Sequence, residues 1–121
     1  MSKKLTAACG CNMGKIRKNN EDNFYFNQVT LPEENLGMDQ IVYAKYNLSE
    51  SAEIFGVFDG MGGEADGQIA SYLSASLLKE KRNFLISSPA KINKNYEDLI
   101  QKMNETVYLD AEKRFNRMGC T

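Results

Sequence analysis

The chain contains no histidine. That absence excludes Ser/His and Cys/His nucleophilic arrangements and histidine-based zinc sites within these residues. Any metal held here must be bound mainly by oxygen, which points to Mg2+ or Mn2+ rather than Zn2+. Cysteine is scarce: Cys9, Cys11 and Cys120 are the full set. An odd number without an export signal argues against a disulfide framework. Cys9-Gly10-Cys11 has no second cysteine pair to complete a zinc site, and on a strand both thiols would face one side as small apolar groups. No apolar run reaches membrane-spanning length, and Met1-Ser2-Lys3-Lys4 lacks the apolar segment of a signal peptide. The expectation is a soluble cytoplasmic protein with no membrane partner. Neither charge is in excess: 15 basic against 16 acidic residues give a formal charge of −1, which does not suggest nucleic acid as a partner.

What the chain does have is a short apolar segment with an abrupt end. Its 121 residues suit one domain or a piece of one, and 42% hydrophobic content is ordinary for a globular chain. Ile54, Phe55, Val57 and Phe58 suit a buried strand. The run stops at Asp59, and Gly60, Gly62 and Gly63 follow. Glycine tolerates positive φ and lets a backbone approach a ligand closely, so this tip reads as a sharp turn with accessible carbonyls. Ile69, Leu73 and Leu77 then mark a helix over about 64–82. A carboxylate between a buried strand and a glycine turn can hold a cation; it can equally start the turn or cap the helix.

The remaining elements follow from periodicity. Leu5–Cys9, Phe24–Phe26 and Ile41–Tyr46 read as strands, with a loop over Gly14–Asn23, a break over Pro32–Gly37 and a turn over Asn47–Ala52. Ile92, Tyr96, Leu99, Ile100, Met103, Val107, Ala111, Phe115 and Met118 follow a helical repeat. Asn95 or Pro89 marks its start and Gly119 its stop. Glu97 and Asp98 near the beginning and Lys113, Arg114 and Arg117 near the end complement the helix dipole. Residues 87–95 connect two antiparallel helices. Strands followed by helices favour an α+β packing over alternating βαβ units.

Three blocks in order carry a resemblance. Phe55-Gly56-Val57-Phe58-Asp59-Gly60-Met61-Gly62-Gly63 resembles the central signature of the metal-dependent protein phosphatases of the PPM (PP2C) family. Gly14-Lys15-Ile16-Arg17-Lys18-Asn19-Asn20-Glu21-Asp22 resembles that family's Gly-x-x-Arg-x-x-Asn-Glu-Asp segment. Met118-Gly119-Cys120-Thr121 resembles the start of its Gly-Ser/Thr-Thr segment. The resemblance spans almost the whole chain but covers about half of the family's catalytic domain. It implies that residues 1–121 are the N-terminal portion of a single PP2C-like domain, a partial αββα sandwich of antiparallel strands packed against two long helices.

It also implies an activity: hydrolysis of phosphoserine or phosphothreonine in a phosphoprotein substrate, by a water activated between two Mn2+ or Mg2+ ions. By the same resemblance Asp59 bridges the ions, the Gly60 carbonyl is a further ligand, and Asp22 and Glu21 act through waters on the metal. Arg17 matches the arginine that grips the substrate phosphate with its planar fork. Without the resemblance, Glu21 and Asp22 read as an exposed acidic pair and Arg17 as a surface arginine. Two departures stand out. Met61 replaces a histidine found in many members and cannot donate a proton, a form that resembles the bacterial branch. Cys120 replaces the usual Ser or Thr.

Further aspartates of the family lie in its second half, which these residues do not include. The expectation for the chain alone is weak cation binding, negligible turnover and self-association. Two other readings stay open. One is a non-catalytic interaction module that uses a phosphatase-like surface to bind phosphoprotein or itself. The other is a nucleotide-binding domain, since Gly60-Met61-Gly62-Gly63-Glu64-Ala65 fits Gly-x-Gly-x-x-Gly/Ala after a strand, with Glu80 near the ribose-binding position. Against the latter stand the charge of Asp59 and a second long helix where a parallel strand is needed.

Overall fold

The computed structural model describes residues 3–48, 52–62 and 66–121. Within them the chain forms β1 (Lys4–Cys9), β2 (Asp22–Tyr25), β3 (Val42–Asn47), β4 (Gly56–Gly62), α1 (Asp66–Leu85), a 3-10 turn (Pro89–Lys91), α2 (Ile92–Arg114) and β5 (Met118–Cys120). The class is α+β. Every strand pairing is antiparallel: β1 with β3 in one sheet, and β2, β4 and β5 in that order in another.

The three-stranded sheet is built around β4. Side chains alternate across a strand, so Phe58 and Gly60 face inward while Val57, Asp59 and Met61 point to the opposite, open face. Helix α1 packs over β2, β4 and β5, and α2 packs against α1 and β5. Tyr25, Ile54, Phe58, Ala75, Leu78, Leu85 and Leu99 form the core between sheet and helices. The β1–β3 ribbon reaches this body through Phe55, whose ring lies 5.6 Å from Phe26 and edge-on to Tyr46 at 5.7 Å.

Several expectations are corrected. The strand does not stop at Asp59, because Asp59 exchanges both backbone hydrogen bonds with Thr121 (2.8 and 2.9 Å) and pairing with β5 carries β4 on to Gly62. Gly60 and Gly62 therefore take no positive φ; among the described residues the left-handed glycines are Gly14 and Gly37. Gly60 serves close approach instead: a Cβ there would collide with the Gly67 carbonyl of α1. The loop over Gly14–Asn23 ends early, since Asp22 and Asn23 belong to β2. Phe26 lies just past β2 and bridges Val29 across a tight turn with Asn27 and Gln28 at positive φ, the conformation that hairpin turns require.

In the second helix, the apolar repeat overruns the element. Phe115 takes the left-handed cap conformation and is exposed, and Met118 and Gly119 belong to β5. Ile100 is likewise exposed rather than core. Asn95 does not start α2: it is buried, and its Nδ2 donates to the Phe84 carbonyl at 3.0 Å and to that of Leu85 at 3.5 Å, covering the end of α1. Glu97 and Asp98 lie beyond the first turn, where Asp98 pairs with Lys94 at 2.8 Å. Asn47 belongs to β3, whereas residues 49–51 of the expected turn and 63–65 at the expected start of α1 lie outside the described residues.

Candidate functional site

Asp22 and Asp59 are distant in sequence and face each other across the β2–β4 ladder as direct partners. Glu21 O accepts from the Gly60 amide at 3.1 Å, which makes Glu21 and Gly60 the hydrogen-bonded pair and Asp22 and Asp59 the non-hydrogen-bonded pair beside it. That second kind brings side chains closer together, with Cβ atoms about 4.5–5.5 Å apart. Both carboxylates emerge on the open face.

The pair carries an electrostatic cost. Burial, and then the charge of Asp59, push the Asp22 carboxyl above its ordinary value. Two like charges on adjacent strands disfavour joint ionisation unless a cation lies between them. The Cys120 thiol, on β5 beside Gly60, is pushed up by burial first and also by Asp59 and Asp22; a hydrogen bond with Ser74 works the other way.

Backbone packing shapes the rest. The first turn of α1 sits on β4, where a Cβ at Gly67 would lie 2.9 Å from both the Gly60 carbonyl oxygen and the Glu21 carboxyl carbon. Gly67 thus leaves room for the Glu21 carboxyl group and the Gly60 carbonyl to lie side by side. Of the expected residues, Asp22 and Asp59 are brought together on the open face, whereas the Glu21 carboxyl group lies against the first turn of α1 on the other side of the sheet, beside Gly60. Arg17 is not joined to them: it is exposed on the loop before β2 and makes no ion pair among the described residues.

Two residues that hold this arrangement escaped the sequence reading. Asn20 is buried; its Oδ1 accepts from the Asp22 amide at 3.3 Å, and its Nδ2 donates to Asn35 Oδ1 at 2.6 Å and to Cys11 Sγ at 3.2 Å. Asn23, equally buried, fastens β2 to the loop beyond it: its Oδ1 accepts from the amides of Phe24 and Leu31, and its Nδ2 donates to the Leu31 carbonyl. The asparagine-rich sequence was the available signal, but it marks solvated loops as readily as buried struts.

The donors offered are carboxylate and carbonyl oxygens, the kind that suits Mg2+ or Mn2+. In number they fall short: among the described residues no group of three His, Cys, Asp or Glu side chains is placed to hold a metal ion. Met61 is exposed on the same face as Asp59 and borders an apolar groove of about 710 Å³. Val57, Met103, Val107, Tyr108 and Met118 also line that groove. Comparison of the chain with protein-family models, with curated proteins and with solved structures found no match.

Proposed function

We propose that the chain supplies part of the cation site of a PPM (PP2C)-type phosphatase acting on phosphoserine or phosphothreonine. The single observation that supports this most is the opposition of Asp22 and Asp59 across β2 and β4. It concentrates negative charge that a divalent cation relieves, at the two blocks whose sequences resemble that family. Asp59 and Asp22 would hold the cation through carboxylate oxygens, with the Gly60 carbonyl as a further oxygen donor, while the Glu21 carboxyl group lies on the helix side of the sheet. A divalent cation bound there would neutralise phosphoryl oxygens and lower the pKa of water. Gly60 and Gly67 keep side chains out of the space around the Gly60 carbonyl. Arg17, unpaired with any described carboxylate, is free to turn its fork to a phosphate.

Two carboxylates and a carbonyl are fewer ligands than hard cations require, since Mg2+ takes six and keeps waters where protein oxygens are lacking. Calorimetric titration with Mn2+ should therefore show weak binding to this chain, lost in Asp59→Asn and retained in Arg17→Ala. In a protein that carries the complete ligand set, both substitutions should depress phosphopeptide turnover. Mn2+ binding unchanged by Asp59→Asn, or turnover that survives a chelator, would sink the reading.

A second reading, an interaction module without catalysis, draws on the groove beside β5 and on the exposed apolar face of β4. The nucleotide-binding reading gains no support, because β4 has antiparallel partners on both sides and the parallel βαβ unit of that fold needs a parallel one.

A further inference from the structure

Cys9 is the last residue of β1, paired with Val42, and Gly10 and Cys11 leave the ladder immediately after it. The two thiols are free and partly exposed. The in–out alternation of β1 continues through Gly10 and Cys11, which puts both thiols on one face; burial raises the Cys9 thiol, and Cys11 raises it further. Cys11 Sγ also accepts a hydrogen bond from Asn20 Nδ2 at 3.2 Å. Cys120 is on the other sheet.

We propose that Cys9 and Cys11 form a redox-active dithiol whose co-reactant is a small disulfide of the glutathione type, closing to a Cys9–Cys11 disulfide. The Cys11 thiolate attacks one sulfur of the co-reactant, breaking its S–S bond and expelling one glutathione thiolate. Charge building on sulfur in this step is met by the Asn20 N–H. The Cys9 thiolate then attacks the Cys11 sulfur, breaks the mixed disulfide and expels the second thiolate. The protein loses two electrons, the co-reactant gains them, and the two cysteine protons end on two glutathione thiols.

The backbone permits this closure. A disulfide needs Cα atoms roughly 4.4–6.8 Å apart, and two fully extended residues span about 6.6–7.2 Å, so only a small contraction is needed. It falls at Gly10, where the nearest group to an added Cβ would be the Ile41 side chain at 3.4 Å, and glycine yields most readily. The contraction takes Cys11 Sγ away from Asn20, while Asn35 Oδ1 keeps its hydrogen bond to Asn20 Nδ2. Oxidation is therefore felt at the Asn20 side chain. This inference does not depend on the cation site.

The test equilibrates the chain in glutathione buffers of increasing oxidised fraction, followed by acid quench, alkylation and peptide mass analysis. The expected product lacks two hydrogens within the peptide holding Cys9 and Cys11, with Cys120 alkylated throughout. Cys9→Ser should stop at a glutathione adduct on Cys11. In NMR spectra the Asn20 side-chain amide should shift on oxidation. A wild-type chain that accumulates glutathione adducts without the bridge, a bridge that includes Cys120, or a bridge that forms while the Asn20 amide stays unmoved would overturn the proposal.

Discussion

At Gly60 the absence of a single carbon fixes the distance between helix and strand. An added Cβ would strike the Gly67 carbonyl and come within 2.7 Å of the Glu21 carbonyl oxygen. Both obstacles are backbone, so neither can swing aside as a flexible side chain would. Gly60→Ala should destabilise the fold by about 3 kcal/mol, at the upper end for overpacking, seen as a lower urea midpoint. Asp22 makes a subtler prediction. Its carboxyl is raised above the ordinary 3.8, so the folded chain binds this proton more readily than the unfolded chain. Stability contributed at this position is then lost as pH rises from 3.8 through the raised folded value. In chelator, the stability of wild type relative to Asp22→Asn should fall across that window, by a small amount because the group is largely solvated. A difference that is flat or rises with pH would contradict a carboxyl raised by burial and by Asp59.

Among the elements, the junction between α1 and α2 is tied by a side chain that reaches across it. The last carbonyls of a helix lack partners within it, and Asn95 reaches back from α2 to those of Phe84 and Leu85. Asn95→Ala should cost about 1 kcal/mol, because the Leu85 carbonyl loses the amide while that of Phe84 keeps the Ser87 amide and hydroxyl. Thermal melting followed by circular dichroism checks this; an unchanged midpoint would mean that water replaces the amide. The same junction explains why the sequence misassigned this residue. An asparagine near a helix start fits a cap for its own helix, and only the packing of α2 on α1 reveals that it caps the other one.

On the scale of the whole molecule, the helices cover one face of the three-stranded sheet and leave the β4 side chains of the other exposed, although Phe24 of β2 is buried there. Val57 is 82% exposed, Met61 54% and, on α2, Ile100 61%. β5 stands at a sheet edge beside the apolar groove. Unpaired backbone next to apolar surface favours association with another chain. Sedimentation velocity should show a weight-average mass that grows with concentration. A monomer throughout the accessible range would contradict this. Among the described residues no helix is long and apolar enough to cross a membrane, as the absence of long apolar runs led one to expect.

The sequence by itself determined the elements whose signal is local. β1, β3 and both long helices lie close to where alternation and the 3.6-residue repeat put them, because those patterns reflect which side of one element is buried. The absence of histidine likewise limited any cation to oxygen donors. Tertiary structure decided the rest. β4 continues through Asp59 because Thr121 completes its hydrogen bonds, and no local pattern in Gly60-Met61-Gly62 announces that partner. α2 ends at Arg114 although its apolar repeat runs on, since β5 recruits Met118 to the sheet. Above all, the opposition of Asp22 and Asp59 is a matter of register. A slip of one residue would turn one carboxylate to the helix side, and the register is fixed by Phe58 and Tyr25 entering the core together with Asn23, not by the carboxylates themselves.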